Sequence, residues 1–228
     1  RRAVIVVPNY SIPTAPRRHL LPAFKLMGPF PMAISTLGSL GDLLPVPWLE
    51  AGAPPLEIDV GCHKGLFLID MALRFPERNF LGIELQAERV EKTRRKIRRR
   101  GLVNAVVAQA EGLAALEGLP RECAAYIHVL FPDPWPKRRH NVRRLVQGRF
   151  LEAAHRVLET EGILRLVTDD RDYAVAMEKA VENCSGLARS ESESRIYPPT
   201  EFQKKFSGEA HAMHVLELEK VVSGTSLS

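Results

Sequence analysis

The run Phe131-Pro132-Asp133-Pro134-Trp135-Pro136-Lys137-Arg138-Arg139-His140 brings a carboxylate, a large aromatic face and a cluster of cations together in one short stretch. Its three prolines fix three φ angles and bias the residues before them, Phe131, Asp133 and Trp135, toward extended backbone. Asp133 and Trp135 are thereby expected to have little freedom, and a rigid acid beside an indole can grip a planar base. From Lys137 the chain turns basic, with Arg138, Arg139, Arg143, Arg144 and Arg149 and no acidic residue between Asp133 and Glu152. Phosphate is the natural counterpart of such a run. Standing alone, a Pro-rich loop is most often a turn whose indole packs on its own domain, and a basic run is most often a solvated face. Here the two are continuous, and a second chemical feature lies upstream.

That feature is Glu57-Ile58-Asp59-Val60-Gly61-Cys62-His63-Lys64-Gly65, a strand pattern ending in a glycine turn that opens a helix. Such a turn lets backbone approach a nucleotide-like ligand closely. With only Gly61 and Gly65 it is not a dinucleotide fingerprint, and two glycines at this spacing are a weak signal by themselves. Glu84 closes the next strand, where a carboxylate can accept both hydroxyls of a ribose, and Glu111 follows the third strand at the same level. Acid-glycine turn, ribose acid and third-strand acid compose an adenosine pocket without a pyrophosphate cradle. This combination favours S-adenosylmethionine over NAD or ATP.

The elements that must position these residues are legible from Leu56 onward, where short apolar runs alternate with longer amphipathic segments, the mark of β-α-β units and a mostly parallel, doubly wound α/β sheet. Strands are expected at 56–60, 79–84, 105–110, 124–130 and 163–168, and helices at 66–75, 86–100, 150–158 and 173–184. Beyond Cys184, segments 187–197 and 211–220 are expected to pair antiparallel at one edge of the sheet. Residues 1–53 carry many prolines and no sustained period, and read as an N-terminal arm. Residues 54–220 form the main domain, and 221–228 a flexible tail.

Composition bounds the rest. A chain of 228 residues with 45% hydrophobic and 26% charged residues suits one large soluble domain. The net charge of +5 is modest, but its clustering points to nucleic acid more than to a membrane surface. The longest uncharged run, Leu26 to Gly41, is broken by Gly28, Pro29, Pro31 and Gly38 and is too short to span a bilayer. Cys62, Cys123 and Cys184 lie far apart, the seven histidines show no ligand spacing, and no metal site is expected. No signal-peptide order occurs at the start, so a cytoplasmic protein is expected. A monomer and a homodimer are both compatible with the sequence.

On these residues, 56–220 resembles the bacterial tRNA (guanine-N7-)-methyltransferase family, whose strongest signature stands here as Pro132-Asp133-Pro134-Trp135-Pro136-Lys137-Arg138-Arg139-His140. The likeness continues through Arg143-Arg144-Leu145, Val167-Thr168-Asp169-Asp170 and Thr200-Glu201-Phe202-Gln203-Lys204-Lys205-Phe206. It implies a Rossmann-like class I methyltransferase with Asp59, Gly61, Gly65, Glu84, Glu111 and Asp133 at the S-adenosylmethionine site. Asp133 is the implied catalytic residue. Lys137, Asp169, Thr200, Glu201, Phe202 and Gln203 are implied at the target guanosine of the tRNA variable loop. Arg138, Arg139, His140, Arg143 and Arg144 are expected along the RNA. Two departures stand out: the family usually has glycine where His63 stands and aspartate where Glu111 stands. His63 is expected to narrow the turn, whereas Glu111 keeps the charge. The rival readings are a methyltransferase acting on another RNA base, and a catalytically silent tRNA-binding protein on the same fold.

Overall fold

The computed structural model describes residues 44, 46–190, 195, 197, 198, 200 and 213–221. Five strands run parallel: β1 (Leu56–Val60), β2 (Asn79–Glu84), β3 (Ala105–Gln109), β4 (Ala124–Leu130) and β5 (Leu158–Thr168). The helices are α1 (Leu66–Arg74), α2 (Ala87–Arg99), α3 (Gly112–Gly118), α4 (Gly148–Val157) and α5 (Arg171–Glu182). Two further strands, β6 (Leu187–Arg189) and β7 (His214–Lys220), complete a seven-stranded sheet of order β3-β2-β1-β4-β5-β7-β6. β7 lies antiparallel between β5 and β6. The expected antiparallel edge is therefore present, with the later strand inside and the earlier one outside.

One face of the sheet is apolar. Ile58, Ile83, Ile127, Val129, Leu164 and Leu166 pack there with Leu116, Phe150, Leu151, Val157, Tyr173 and Met177 from α3, α4 and α5. Leu44, 3% exposed, belongs to this cluster, and Trp48 packs against it, so chain before β1 contributes to the core. The second face is apolar only toward β2 and β3, where Phe67, Leu68 and Met71 of α1 and Val90 and Ile97 of α2 join Phe80 and Val107.

Three elements differ from expectation. β5 begins at Leu158 rather than Ile163, because Glu159, Thr160 and Glu161 are exposed and the ladder is irregular at Ala124 to Tyr126. α3 is a short helix bounded by glycines, too brief to show a period in the sequence. A 3-10 helix, Arg138–Arg143, carries most of the basic run.

Candidate active site

A cleft of about 1170 Å³ opens beyond the carboxyl ends of β1, β2 and β4. The strand order reverses between β1 and β4, and in open α/β sheets that crevice is where ligands bind. Its volume suits a nucleoside-sized ligand with a second planar group beside it. Asp59, Gly61, Glu84, Glu111, Asp133 and Thr200 all line it.

The turn after β1 is built on left-handed backbone, with φ of 80° at Gly61, 53° at His63 and 69° at Gly65. A Cβ at Gly61 would meet nothing within 4 Å, so this glycine is needed for its conformation. At Gly65 a Cβ would lie 2.3 Å from Thr93 Cγ2, so here the glycine also lets α1 approach α2. Gly65 thus shapes the turn from behind the cleft. His63 occupies a backbone region that glycine adopts without strain, which gives a physical reason for the family's usual residue there.

Glu84 is 5% exposed and holds this turn. Its Oε2 accepts the His63 N–H at 3.0 Å, its Oε1 accepts the Gln86 N–H at 2.9 Å, and Arg89 lies 3.6 Å from Oε1. Each carboxylate oxygen can accept a further donor, as a ribose acid must. Asp59 contrasts with it: buried at 4% exposure, its carboxyl accepts no hydrogen bond from any described residue. Burial, with the Glu84 charge added, pushes its pKa up to about 7. Glu111 caps α3, Oε1 accepting from Leu113 N–H at 3.1 Å and Oε2 from Ala114 N–H at 2.8 Å. Capping is the work an aspartate does at such a position, and the longer glutamate does it here.

The loop after β4 departs from the sequence expectation. Phe131 (φ 52°) and Trp135 (φ 46°) precede prolines yet lie in the left-handed region rather than extended. For bulky residues this conformation persists only where surroundings enforce it. Phe131 N–H donates to the Val167 carbonyl at 2.8 Å. Arg144 Nε donates to the Pro134 carbonyl at 2.7 Å, and its guanidinium lies 4.8 Å from the Tyr173 ring centre. Tyr173, fully buried, accepts the Val146 N–H on its hydroxyl at 3.0 Å. Arg144, grouped in the sequence with the phosphate-facing cations, is thus 8% exposed and clamps the loop from within. Arg143 lies 5.0 Å from the Trp135 ring centre, and His140 meets that indole edge-on at 5.9 Å.

The other expected residues are dispersed. Asp133 is exposed at the cleft. Lys137, Arg138 and Arg139 are exposed but not among the cleft-lining residues, and Arg139 Nε donates to His140 Nε2 at 3.2 Å. Arg149 forms a two-pronged pair with Glu117 at 2.6 and 3.0 Å. Asp169 is half-buried just past β5 and does not line the cleft, while Asp170 caps α5 by accepting the Tyr173 N–H at 2.7 Å. Thr200 lines the cleft at 9% exposure, and Glu201, Phe202 and Gln203 lie outside the described residues.

Sequence reasoning missed Arg89, in the first turn of α2, and it missed a polar cluster beneath the cleft. Glu57, 1% exposed on β1, accepts from Arg78 at 2.9 Å and Arg195 at 2.7 Å on Oε1, and pairs with His128 Nε2 at 3.1 Å through Oε2. Burial pushes the Glu57 carboxyl up, but the hydrogen bonds from His128 and Arg195 and the Arg195 charge outweigh it and leave its pKa lowered. Burial and the Arg165 and Arg195 charges hold His128 below its ordinary value despite Glu57. Neutral His128 then donates from Nε2, and its Nδ1 finds no partner among the described residues. Tyr197 covers the cluster, with the Arg165 guanidinium 3.9 Å from its ring centre. The signal for this cluster is an acid inside a buried strand, with partners too distant in sequence to recognise.

Sheet order and cleft define the class I, Rossmann-like methyltransferase fold. Two solved methyltransferases superpose on the chain with a TM-score of 0.56: the aminoglycoside resistance methyltransferase NpmB1 (24% identity, 75% of this chain, 89% of that one) and the antibiotic-resistance methyltransferase Kmr (22% identity, 84% and 97%). Within that class, a family model described as "Putative methyltransferase" matches residues 53–216. The tRNA (guanine-N(7)-)-methyltransferase of Leifsonia xyli subsp. xyli is 34% identical over 78% of this chain and 81% of its own length. That of Nitrosococcus oceani is 30% identical over 72% and 71%. The chain belongs to the tRNA (guanine-N7-)-methyltransferase family.

Proposed function

We propose that this protein transfers the methyl group of S-adenosylmethionine to N7 of a guanine in tRNA, the variable-loop guanine being the expected target. The observation that carries the reading is the convergence of Asp59, Glu84, Glu111 and Asp133 on one cleft that also holds Trp135. The residues fit the cofactor: Glu84 has acceptor capacity for ribose hydroxyls, and Asp59 is a buried carboxyl with no hydrogen bond from the described residues, suited to a cationic ligand.

When bound, S-adenosylmethionine supplies a methyl group that the in-plane lone pair of guanine N7 takes by in-line displacement, the S–CH₃ electron pair remaining on sulfur. No proton has to leave the base first, so the protein's task is positioning and charge stabilisation. Asp133 faces the cleft as a carboxylate able to stabilise the ring as it becomes cationic. Asp133 is the cleft acid available to accept from guanine N1–H and N2–H₂, a donor pair that adenine lacks, while Asp169 stands outside the cleft lining. The Arg144 clamp on Pro134 and the left-handed Phe131 and Trp135 hold the loop that carries Asp133. Lys137, Arg138, Arg139 and Arg143 supply charge for the RNA backbone.

The deciding experiment incubates the protein with unmodified bulk tRNA and methyl-labelled S-adenosylmethionine, then identifies the labelled nucleoside. N7-methylguanosine is expected. Label in another nucleoside, or none in a folded protein that binds both ligands, would overturn the assignment.

A further inference from the structure

Helix α2 with its flanking Arg100 carries charge out of proportion to its length. Residues 87–100 hold eight cations against two carboxylates, a net +6, whereas the whole chain nets +5. The rest of the chain is thus close to neutral. The apolar side, Val90, Thr93 and Ile97, is buried against the sheet, and Lys92, Arg95 and Arg99 follow one another along the opposite, exposed side.

Intramolecular partners account for only part of this charge. Lys92 pairs with Glu88, Arg94 and Arg98 share Glu91 at 3.9 and 3.2 Å, Lys96 donates to the Lys64 carbonyl at 2.6 Å, and Arg89 turns back toward Glu84. Arg95, Arg99 and Arg100 make no ion pair with any described residue and are exposed. One or two cations at a helix C-terminus complement its dipole. A stack of like charges at 92/96, 94/98, 95/99 and 96/100 instead opposes the helix. An external polyanion relieves that repulsion. A membrane surface is the poorer fit, because the helix spends its apolar face inside the fold and offers none to lipid.

The helix also has a fixed relation to the cleft. Gln86 and Arg89 line the cleft, and at 1.5 Å per residue Arg95, Arg99 and Arg100 lie roughly 9 to 17 Å beyond Arg89 along the axis. That distance is well within one arm of a tRNA. We infer that the exposed face of α2, through Arg95, Arg99 and Arg100, is a second docking surface for the phosphate backbone of the tRNA, remote from the base in the cleft and separate from the basic loop after β4. The inference rests on the tRNA reading above and adds to it where the body of the substrate lies.

The test is the triple variant Arg95→Ala/Arg99→Ala/Arg100→Ala in the full chain. Binding of tRNA should weaken about ten-fold or more, with the slope of log affinity against log salt reduced by roughly two to three units. Cofactor affinity and the single-turnover rate at saturating tRNA should stay unchanged, since nothing in the cleft is altered. The corresponding triple lysine variant should keep the affinity and slope of the parent. Unchanged affinity and slope in a folded alanine variant, or failure of lysine to preserve them, would overturn the proposal. So would loss of binding to phosphatidylserine vesicles with tRNA binding intact. If tRNA binds with an α2-dependent slope but no N7-methylguanosine forms, the docking surface stands and the methyltransfer assignment falls. If N7-methylguanosine forms and the slope is unchanged, the methyltransfer assignment stands and the docking surface falls.

Discussion

Glu57 and Asp59 stand two residues apart on one face of the same strand, and their surroundings treat them in opposite ways. Glu57 is saturated by Arg78, Arg195 and His128, and although burial pushes its pKa up, His128 and Arg195 hold it below the ordinary value. Asp59 has no hydrogen bond among the described residues, and burial beside Glu84 raises it to about 7. Both are buried, so burial does not distinguish them. What differs is whether the described residues supply a partner: they do for Glu57 and do not for Asp59, whose partner we propose is a ligand. A carboxylate with its own cations belongs to the architecture, and a buried one without them marks the place where chemistry arrives from outside.

Breaking the saturated member should have the largest effect. Glu57→Gln leaves Arg78 and Arg195 without their shared carboxylate, and losing one partner of a buried pair costs about 3–5 kcal/mol. Urea unfolding should report that loss. A change below about 1 kcal/mol would mean that the two acids are not different in kind.

The exposed-to-ligand member should respond with the opposite sign. An acid whose pKa is raised on folding stabilises the fold fully below its unfolded value, and that contribution disappears as pH rises through the folded value. For Asp59 the window runs from the ordinary aspartate value of 3.8 to about 7. Asp59→Asn should therefore be more stable than the parent at pH 8, by up to about 4 kcal/mol from a shift near three units, with no gain at pH 3. The same variant should bind S-adenosylmethionine more weakly and lose the rise in affinity with pH that is expected of the parent near pH 7. Melting curves and calorimetry across pH would decide, and a variant less stable at pH 8 would reverse the reading.

Asp133 extends the comparison to an exposed acid at the same cleft. Asp133→Asn is nearly isosteric, so tRNA should still bind, while single-turnover methyl transfer at saturating ligands should fall about 10²- to 10³-fold. A rate within a few-fold of the parent would leave Asp133 a structural residue of the loop. Glu84→Gln tests the neighbour that raises Asp59. It should weaken cofactor binding by about ten-fold or more through lost charge-assisted hydrogen bonds, and lower the Asp59 titration midpoint seen by NMR. The smallest effect is expected at His63→Gly. Relief of left-handed strain, about 1–2 kcal/mol, is partly offset by the entropy cost of glycine, about 0.5–1 kcal/mol. Cofactor affinity should hold or improve, and clear loss of activity would give His63 a role of its own.

The sheet was legible because its strands are short apolar runs between turn signals, and the cleft acids because each sits at or just past the carboxyl end of a strand. The loop conformation was not. A proline biases its predecessor locally, yet the Val167 carbonyl and the Arg144 clamp hold Phe131 and Trp135 where local preference would not put them. Nor does a basic run reveal which member turns inward: Arg143 and Arg144 are equivalent in sequence, and only the fold separates the one over Trp135 from the one under Pro134. Glu57 carries no sign of its cluster in the sequence because its partners are 21, 71 and 138 residues away.

That last separation sets a schedule for the growing polypeptide. At roughly 5–20 residues per second, synthesis takes about 7–28 seconds to pass from Glu57 to Arg195, during which the acid at the sheet centre lacks one of its cations. β6 meets a similar delay, since it joins the sheet only through β7, whose residues are made later. Ribosome-bound chains stalled before residue 195 should hence be cut readily by protease around β1 and β4, and chains extended past 220 should become resistant in a single step.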